Sequence, residues 1–220
     1  MRWLPLTRWG KIRSALLGMV LAALALWFWL LPLAAWAGYT PKEGDVVFQS
    51  LPGGVDLIEA IEGATHSPFS HCGMVEKYDG QWVVLEAIEP VKRTPLFLWI
   101  WRGRGSRFAA YRLKPELQAA VPAMLAGAEK FMGHPYDSRY RMDDEFIYCS
   151  ELVFKGYRAA TGKDLGKLMR LGDLDWKPYM DTIIKYDGCT PETPPLDRLI
   201  ITPRDLALAP ELARVYNWGY

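Results

Sequence analysis

Histidine and cysteine are both scarce in this chain, with three of each in 220 residues. The histidines are His66, His71 and His134, and the cysteines are Cys72, Cys149 and Cys189. Their spacing matches no metal-ligand pattern, so neither a metal nor another cofactor is expected. Three cysteines cannot all pair within one chain, and no regular spacing suggests a disulfide framework. At least one thiol is therefore expected to be free. Acidic residues are missing from the first 37 positions, and no polybasic block occurs anywhere. That argues against nucleic acid as a partner. Internal repeats and low-complexity tracts are also missing.

What the N-terminus does contain is an export signature. Arg2, Arg8, Lys11 and Arg13 form a basic region, and an uncharged apolar run follows from Ala15 to Leu33. Ala35-Trp36-Ala37 then offers small residues at the two positions a signal peptidase reads. Cleavage before Gly38 is expected. The competing reading is an uncleaved anchor, because the run is long enough to span a bilayer. Either way the rest of the chain lies outside the cytoplasm, and the expected location is the periplasm. Membrane contact would come only through this segment if it is kept. Residues 38–220 suit one domain of slightly acidic charge.

The pattern in that domain mixes hairpin-linked strands with helices, which predicts an α+β fold. Strands are expected at Asp45–Gln49, His71–Glu76, Trp82–Ala87, Phe108–Leu113 and Leu199–Ile201. Tyr78-Asp79-Gly80-Gln81 is a strong hairpin signal. Helices are expected over Val55–Ala64, over Glu116–Met132 and over Cys149–Thr161 with Gly162 as a stop. Thr94-Pro95 reads as the opening of a short helix through Trp101. Met180–Tyr186 is weakly helical, and Thr202-Pro203 caps another short helix. The long aromatic and charged stretch His134–Tyr148 reads as a loop of functional length.

Cys149 sits at the head of its helix, where the macrodipole and free backbone N–H groups favour a thiolate. A thiol nucleophile needs a histidine, and the histidine needs an orienting group. His66 lies in a loop with no distinguishing context, and His134 follows a helix-ending glycine. His71 opens a strand, and Gly73 beyond it permits close approach of another group. The Asp79-Gly80 turn brings Glu86 within one or two positions of His71 across the ladder. Glu86 lies in an otherwise apolar run, where a carboxylate requires a partner or solvent. Glu89 is the rival orienter. Adjacent strand residues point to opposite faces, so Cys72 is expected to face away from the site.

In order along the chain, several short motifs stand together: G-D-V-V-F-Q at 44–49, A-T-H at 64–66 and S-H-x-G-M at 70–74. E-A-x-x-P-V-K-x-T-P-L at 86–96, P-Y-D at 135–137 and Y-C-S-E-L-V at 148–153 complete the set. Together they resemble the YiiX/YaeF-type permuted papain-like cysteine amidases of the NlpC superfamily. The resemblance implies a circularly permuted papain-like fold, an antiparallel sheet packed against helices. It implies Cys149 as nucleophile, His71 as base and then acid, and Glu86 as orienter. It also implies Tyr136 as an oxyanion donor beside the backbone N–H of Cys149. Cys72, next to the histidine, departs from the pattern and receives no role.

The implied chemistry is acyl transfer to a thiol, followed by hydrolysis of the thioester. The expected activity is an exported amidase or peptidase acting on a peptide, N-acyl or other small molecule of the cell envelope. A lipid acyl hydrolase or acyltransferase of the lecithin–retinol acyltransferase type is the alternative. In that case Phe97-Leu98-Trp99-Ile100-Trp101 would line an apolar site; the preferred reading is that these residues are core or interface. A binding module without turnover is a third reading. Asp143-Asp144-Glu145 offers a cationic substrate group a partner, or forms a solvated loop face.

Overall fold

The computed structural model describes residues 8–220. Arg2 of the basic N-terminal region lies outside the described residues. Helix α1 (Arg8–Ala37) comes first. A six-stranded antiparallel sheet follows, built from β1 (Val46–Gln49), β2 (His71–Tyr78), β3 (Gln81–Ala87), β4 (Val91–Pro95), β5 (Phe108–Leu113) and β8 (Leu212–Trp218). The strand order is β4-β3-β2-β1-β5-β8. Helices α2 (Asp56–Thr65), α3 (Leu96–Arg102), α4 (Val121–Glu129) and α5 (Cys149–Thr161) lie between strands. Strands β6 (Met169–Arg170) and β7 (Leu199–Ile200) form a small separate ribbon. Helices α6 (Met180–Asp187) and α7 (Pro203–Ala207) complete the chain. The α+β expectation holds.

Side-chain alternation along the strands divides the interior into two layers. One face carries Phe48, Cys72, Met74, Leu85 and Ala87 and is covered by α4 and α5, through Met124, Ala128, Leu152, Val153 and Tyr157. The other face carries Val47, Val75, Val84, Phe108 and Ala110 and is covered by α3, through Leu96, Trp99 and Ile100. The C-terminal end of α1 adds to this second layer. Ala35 is buried, and its carbonyl accepts a hydrogen bond from Tyr216 Oη at 2.7 Å. Trp29 stacks on Trp101 at 6.1 Å, and Trp36 meets Phe97 edge-on at 6.2 Å. Within the Phe97–Trp101 stretch, Trp99 and Ile100 are buried in this layer as core residues, while Leu98 and Trp101 are exposed.

Several expected elements change on inspection. Thr94-Pro95 does not open a helix. Both residues end β4, paired with Val84 and Val83, and the helix begins at Leu96. The expected Glu116–Met132 helix starts as a 3₁₀ turn at Pro115–Ala120 and is α-helical only from Val121 to Glu129. Pro122 accounts for the break, because its ring cannot donate into the preceding turn. The hairpin register is as expected, with Tyr78 opposite Gln81 and Met74 opposite Leu85. Gly162 ends α5 in the left-handed region at φ 69°.

Helices α4 and α5 approach closely because small residues face each other. A Cβ placed on Gly156 would sit 2.7 Å from the Met124 carbonyl oxygen and 3.2 Å from Ala128 Cβ. Backbone cannot yield as a flexible side chain does, so Gly156→Val would push α5 off α4. A loss of about 1–3 kcal/mol is expected, measured by denaturant unfolding. Because α5 carries Cys149 at its tip, activity should fall with it.

Candidate active site

Cys149 is the first residue of α5 and is 1% exposed. Tyr148 precedes it in extended conformation, and its backbone N–H donates to Glu151 Oε2 at 3.2 Å. That bond satisfies an N–H outside the helix and fixes the angle at which the chain enters it. Ser150 Oγ donates to the Ile201 carbonyl at 2.8 Å and ties the helix tip to the segment before α7.

His71 is the first residue of β2 and is 2% exposed. Its Nε2 lies 2.5 Å from Glu86 Oε2. Glu86, on β3, is fully buried and is the centre of a hydrogen-bond cluster. Thr94 Oγ1 donates to Oε1 at 2.6 Å, and Trp99 Nε1 donates to Oε2 at 2.9 Å. Arg102 donates from both terminal nitrogens, at 3.0 Å to Oε1 and 2.6 Å to Oε2. Gly73 makes the arrangement possible. A Cβ there would meet the Val84 side chain at 2.5 Å, the Leu85 carbonyl at 2.9 Å and Glu86 Cβ at 3.1 Å.

These groups shift one another's ionisation in a consistent sense. A hydrogen bond from Cys72 pulls the Cys149 thiol well below the ordinary thiol range; burial opposes this, and the hydrogen bond and charge of His71 add to it. Burial works against an imidazolium at His71. The hydrogen bonds to Cys149 and Glu86, with their charges, overcome it and raise His71 to about 9. Burial also opposes ionisation of Glu86, yet His71 and then Arg102 hold it down at about 2. The favoured state is therefore thiolate, imidazolium and carboxylate together.

Tyr136 also reaches the thiol. Its hydroxyl lies 3.3 Å from Tyr140 Oη. Burial, the Tyr140 and Cys149 charges and hydrogen bonds to both groups push its pKa well above the ordinary phenol value. It therefore stays protonated and able to donate. Asp137 shapes this loop by accepting from the backbone N–H of Arg139 at 2.9 Å and of Arg141 at 2.6 Å.

The expectation for Cys72 is overturned. Cys72 lies in the layer covered by α5, in the same cluster as Cys149, and it hydrogen-bonds the Cys149 thiol. Alternation does send Cys72 and His71 to opposite faces, as expected. The error was to place the nucleophile on the His71 face. Helix α5 covers the opposite face, and its tip lies at the strand end, where both side chains reach it. Burial, then the Cys149 hydrogen bond and charge, raise the Cys72 thiol well above its ordinary value. It stays a neutral S–H donor. No disulfide joins the three cysteines.

The other candidates lie elsewhere. His66 is exposed and 3.5 Å from Asp175. His134 Nδ1 bonds the Phe131 carbonyl at 2.9 Å. Glu89 is exposed, ahead of Pro90. Asp143 accepts backbone N–H groups of its own loop, and Asp144 pairs with Lys155 at 2.7 Å. Asp144 and Glu145 are exposed, so the acidic run forms a loop face tied to the fold through Asp143 and Lys155. Sequence reasoning missed Thr94, Trp99 and Arg102. The only signal for them was the requirement that a buried carboxylate have partners.

Residues 40–216 match the family described as permuted papain-like amidase enzyme, YaeF/YiiX, C92 family. The uncharacterised protein YiiX of Escherichia coli (strain K12) is 32% identical over 186 residues, covering 84% of this chain and 89% of that protein. The crystal structure of yiiX from Escherichia coli O157:H7 superposes with a TM-score of 0.74 at 31% identity, covering 82% of this chain and 99% of that one. That relative is described as a metalloprotein. Among the described residues of this chain, no group of three or more His, Cys, Asp and Glu side chains is placed to hold a metal ion. The matched length and the shared fold agree, and the chain belongs to the permuted papain-like amidase family of YaeF and YiiX.

Proposed function

We propose that this protein is an exported cysteine amidase that cleaves a peptide or N-acyl amide through a thioester. The 2.5 Å contact between His71 Nε2 and Glu86 Oε2 carries the reading, because it leaves the other ring nitrogen for the Cys149 thiol. The thiolate attacks the carbonyl carbon, and the C–N bond breaks as His71 gives its proton to the leaving nitrogen. Water, deprotonated by His71, then opens the thioester and releases the acid. Tyr136 Oη and the backbone N–H of Cys149 donate to the oxyanion in both steps. Cys72 donates its S–H to the resting thiolate.

An apolar cavity of about 100 Å³ adjoins Tyr140, lined by residues including Leu57, Ile61, Leu174, Trp176 and Ile183. Tyr140 is also the partner of Tyr136. This favours substrates with an apolar group near the scissile bond, and keeps lipid acyl transfer as the second reading. Purified protein assayed against wall peptides, N-acyl amino acids of increasing chain length and phospholipids decides between them. Hydrolysis of the amides is expected. Release of fatty acid from phospholipid alone would replace the amidase reading.

Export is proposed to proceed with removal of residues 1–37. N-terminal sequencing of protein from the envelope fraction should begin at Gly38. An intact Met1 would show that α1 remains, docked through Ala35 and Trp36 on the second layer.

A further inference from the structure

We propose that Arg102 is a positioning residue for this reaction, a two-point clamp that holds Glu86 in place and charged so that Glu86 can hold His71. The inference rests on the reading of Cys149, His71 and Glu86 as the reacting unit. Arg102 ends α3, on the sheet face opposite α5, and its contact with the site runs through Glu86. Its two terminal nitrogens bond the two oxygens of Glu86 in parallel, the geometry in which a guanidinium fixes a carboxylate plane. Its Nε is buried and has no hydrogen-bond partner among the described residues. The hydrogen bonds of the side chain thus go to Glu86. Gly103 lets the end of α3 approach β1, since a Cβ there would lie 2.4 Å from Gln49 Oε1.

The charge balance gives the residue its effect. The charged and titratable groups around Glu86 are His71 on β2, Arg102 on α3 and, beyond His71, Cys149 on α5. Cys72, Tyr136 and Tyr140 surround the thiol, and Lys92, the ladder partner of Glu86 on β4, is exposed. Thiolate, imidazolium, carboxylate and guanidinium sum to zero. Without Arg102 the same buried cluster carries a net negative charge and takes up a proton more readily. The thiolate then forms only at higher pH.

The test is the pH dependence of Cys149 alkylation by iodoacetamide, read by peptide mapping, beside the pH profile of amide hydrolysis. In Arg102→Met the acid limb of both should move up by about one unit, a roughly tenfold loss at any pH below the limb. Arg102→Lys keeps the charge but not the fork. Its limb should stay near the wild-type position while kcat falls. A merely structural role would lower the melting temperature and scale the whole profile without moving the limb. That result in Arg102→Met overturns the proposal. If Arg102→Met does not fold, Arg102→Gln removes the charge with less loss of hydrogen bonding and carries the same readout. A wild-type Cys149 that titrates as an ordinary thiol overturns the reading beneath the proposal, and the proposal with it. A normal wild-type limb with no shift in the variants overturns the Arg102 role alone.

Discussion

Cys149→Ala is expected to show no measurable hydrolysis, and His71→Ala a loss of about a thousandfold or more. The two losses should be similar in size and far from additive, because each residue acts only through the other. Without His71 the thiol loses a hydrogen bond and a positive charge that favour its ionisation. The leaving nitrogen also loses its proton donor. Without the thiol no acyl-enzyme forms, whatever His71 does. Both variants should fold. Neither side chain is among the largest buried groups, and the surrounding layers are built by Phe48, Met74, Trp99 and Tyr157. Circular dichroism checks the fold, and a burst of leaving group in the wild type alone checks the acyl-enzyme. Iodoacetamide should modify Cys149 and spare Cys72, whose thiol is buried and held protonated. Labelling of Cys72 in preference to Cys149 would assign the nucleophile wrongly here.

How much of this was legible in the sequence depends on where each element sits. Helix α5 was readable because its apolar stripe, its cysteine head and Gly162 all agree. The β2–β3 hairpin was readable because a two-residue turn fixes register, and register placed Glu86 near His71. Within the six-stranded sheet the two strands that went unread, β4 and β8, are its two edges; the two-residue β6 of the small ribbon also went unread. Edge strands bury one side and carry charges or proline, so their hydrophobic pattern is weak. Val91-Lys92-Arg93-Thr94-Pro95 shows this directly. The loss mattered, because Thr94 on that edge bonds Glu86. The Phe97–Trp101 run reads as apolar and gives no hint that Trp99 Nε1 and Arg102 turn to a buried carboxylate. Nor can alternation alone say which face a later helix will cover. That is why Cys72 was sent to the wrong side of the chemistry.

Glu86→Gln is expected to retain activity, reduced by about a hundredfold to ten-thousandfold, and to be less stable by about 2–3 kcal/mol at neutral pH. Gln keeps the shape and one acceptor oxygen, so His71 can still be oriented. It removes the negative charge that raises His71 to about 9, so the basic limb of the activity profile should move to lower pH. The stability difference has its own pH signature. Glu86 is depressed from its ordinary value of 4.5 to about 2 in the fold. Its contribution is therefore complete above 4.5 and is lost as pH falls through about 2. His71 runs the other way. It is raised from 6.5 to about 9, so its share is complete below 6.5 and is lost as pH rises through about 9. Wild type and Glu86→Gln should differ most between about 4.5 and 6.5, converge as pH falls through about 2, and differ less above about 9, where the His71 share is gone and the Arg102 pair remains. Urea unfolding of both proteins across that range measures the difference directly. A constant difference at all pH values would mean that Glu86 serves packing rather than charge, and the ion-paired mechanism would lose its orienting carboxylate.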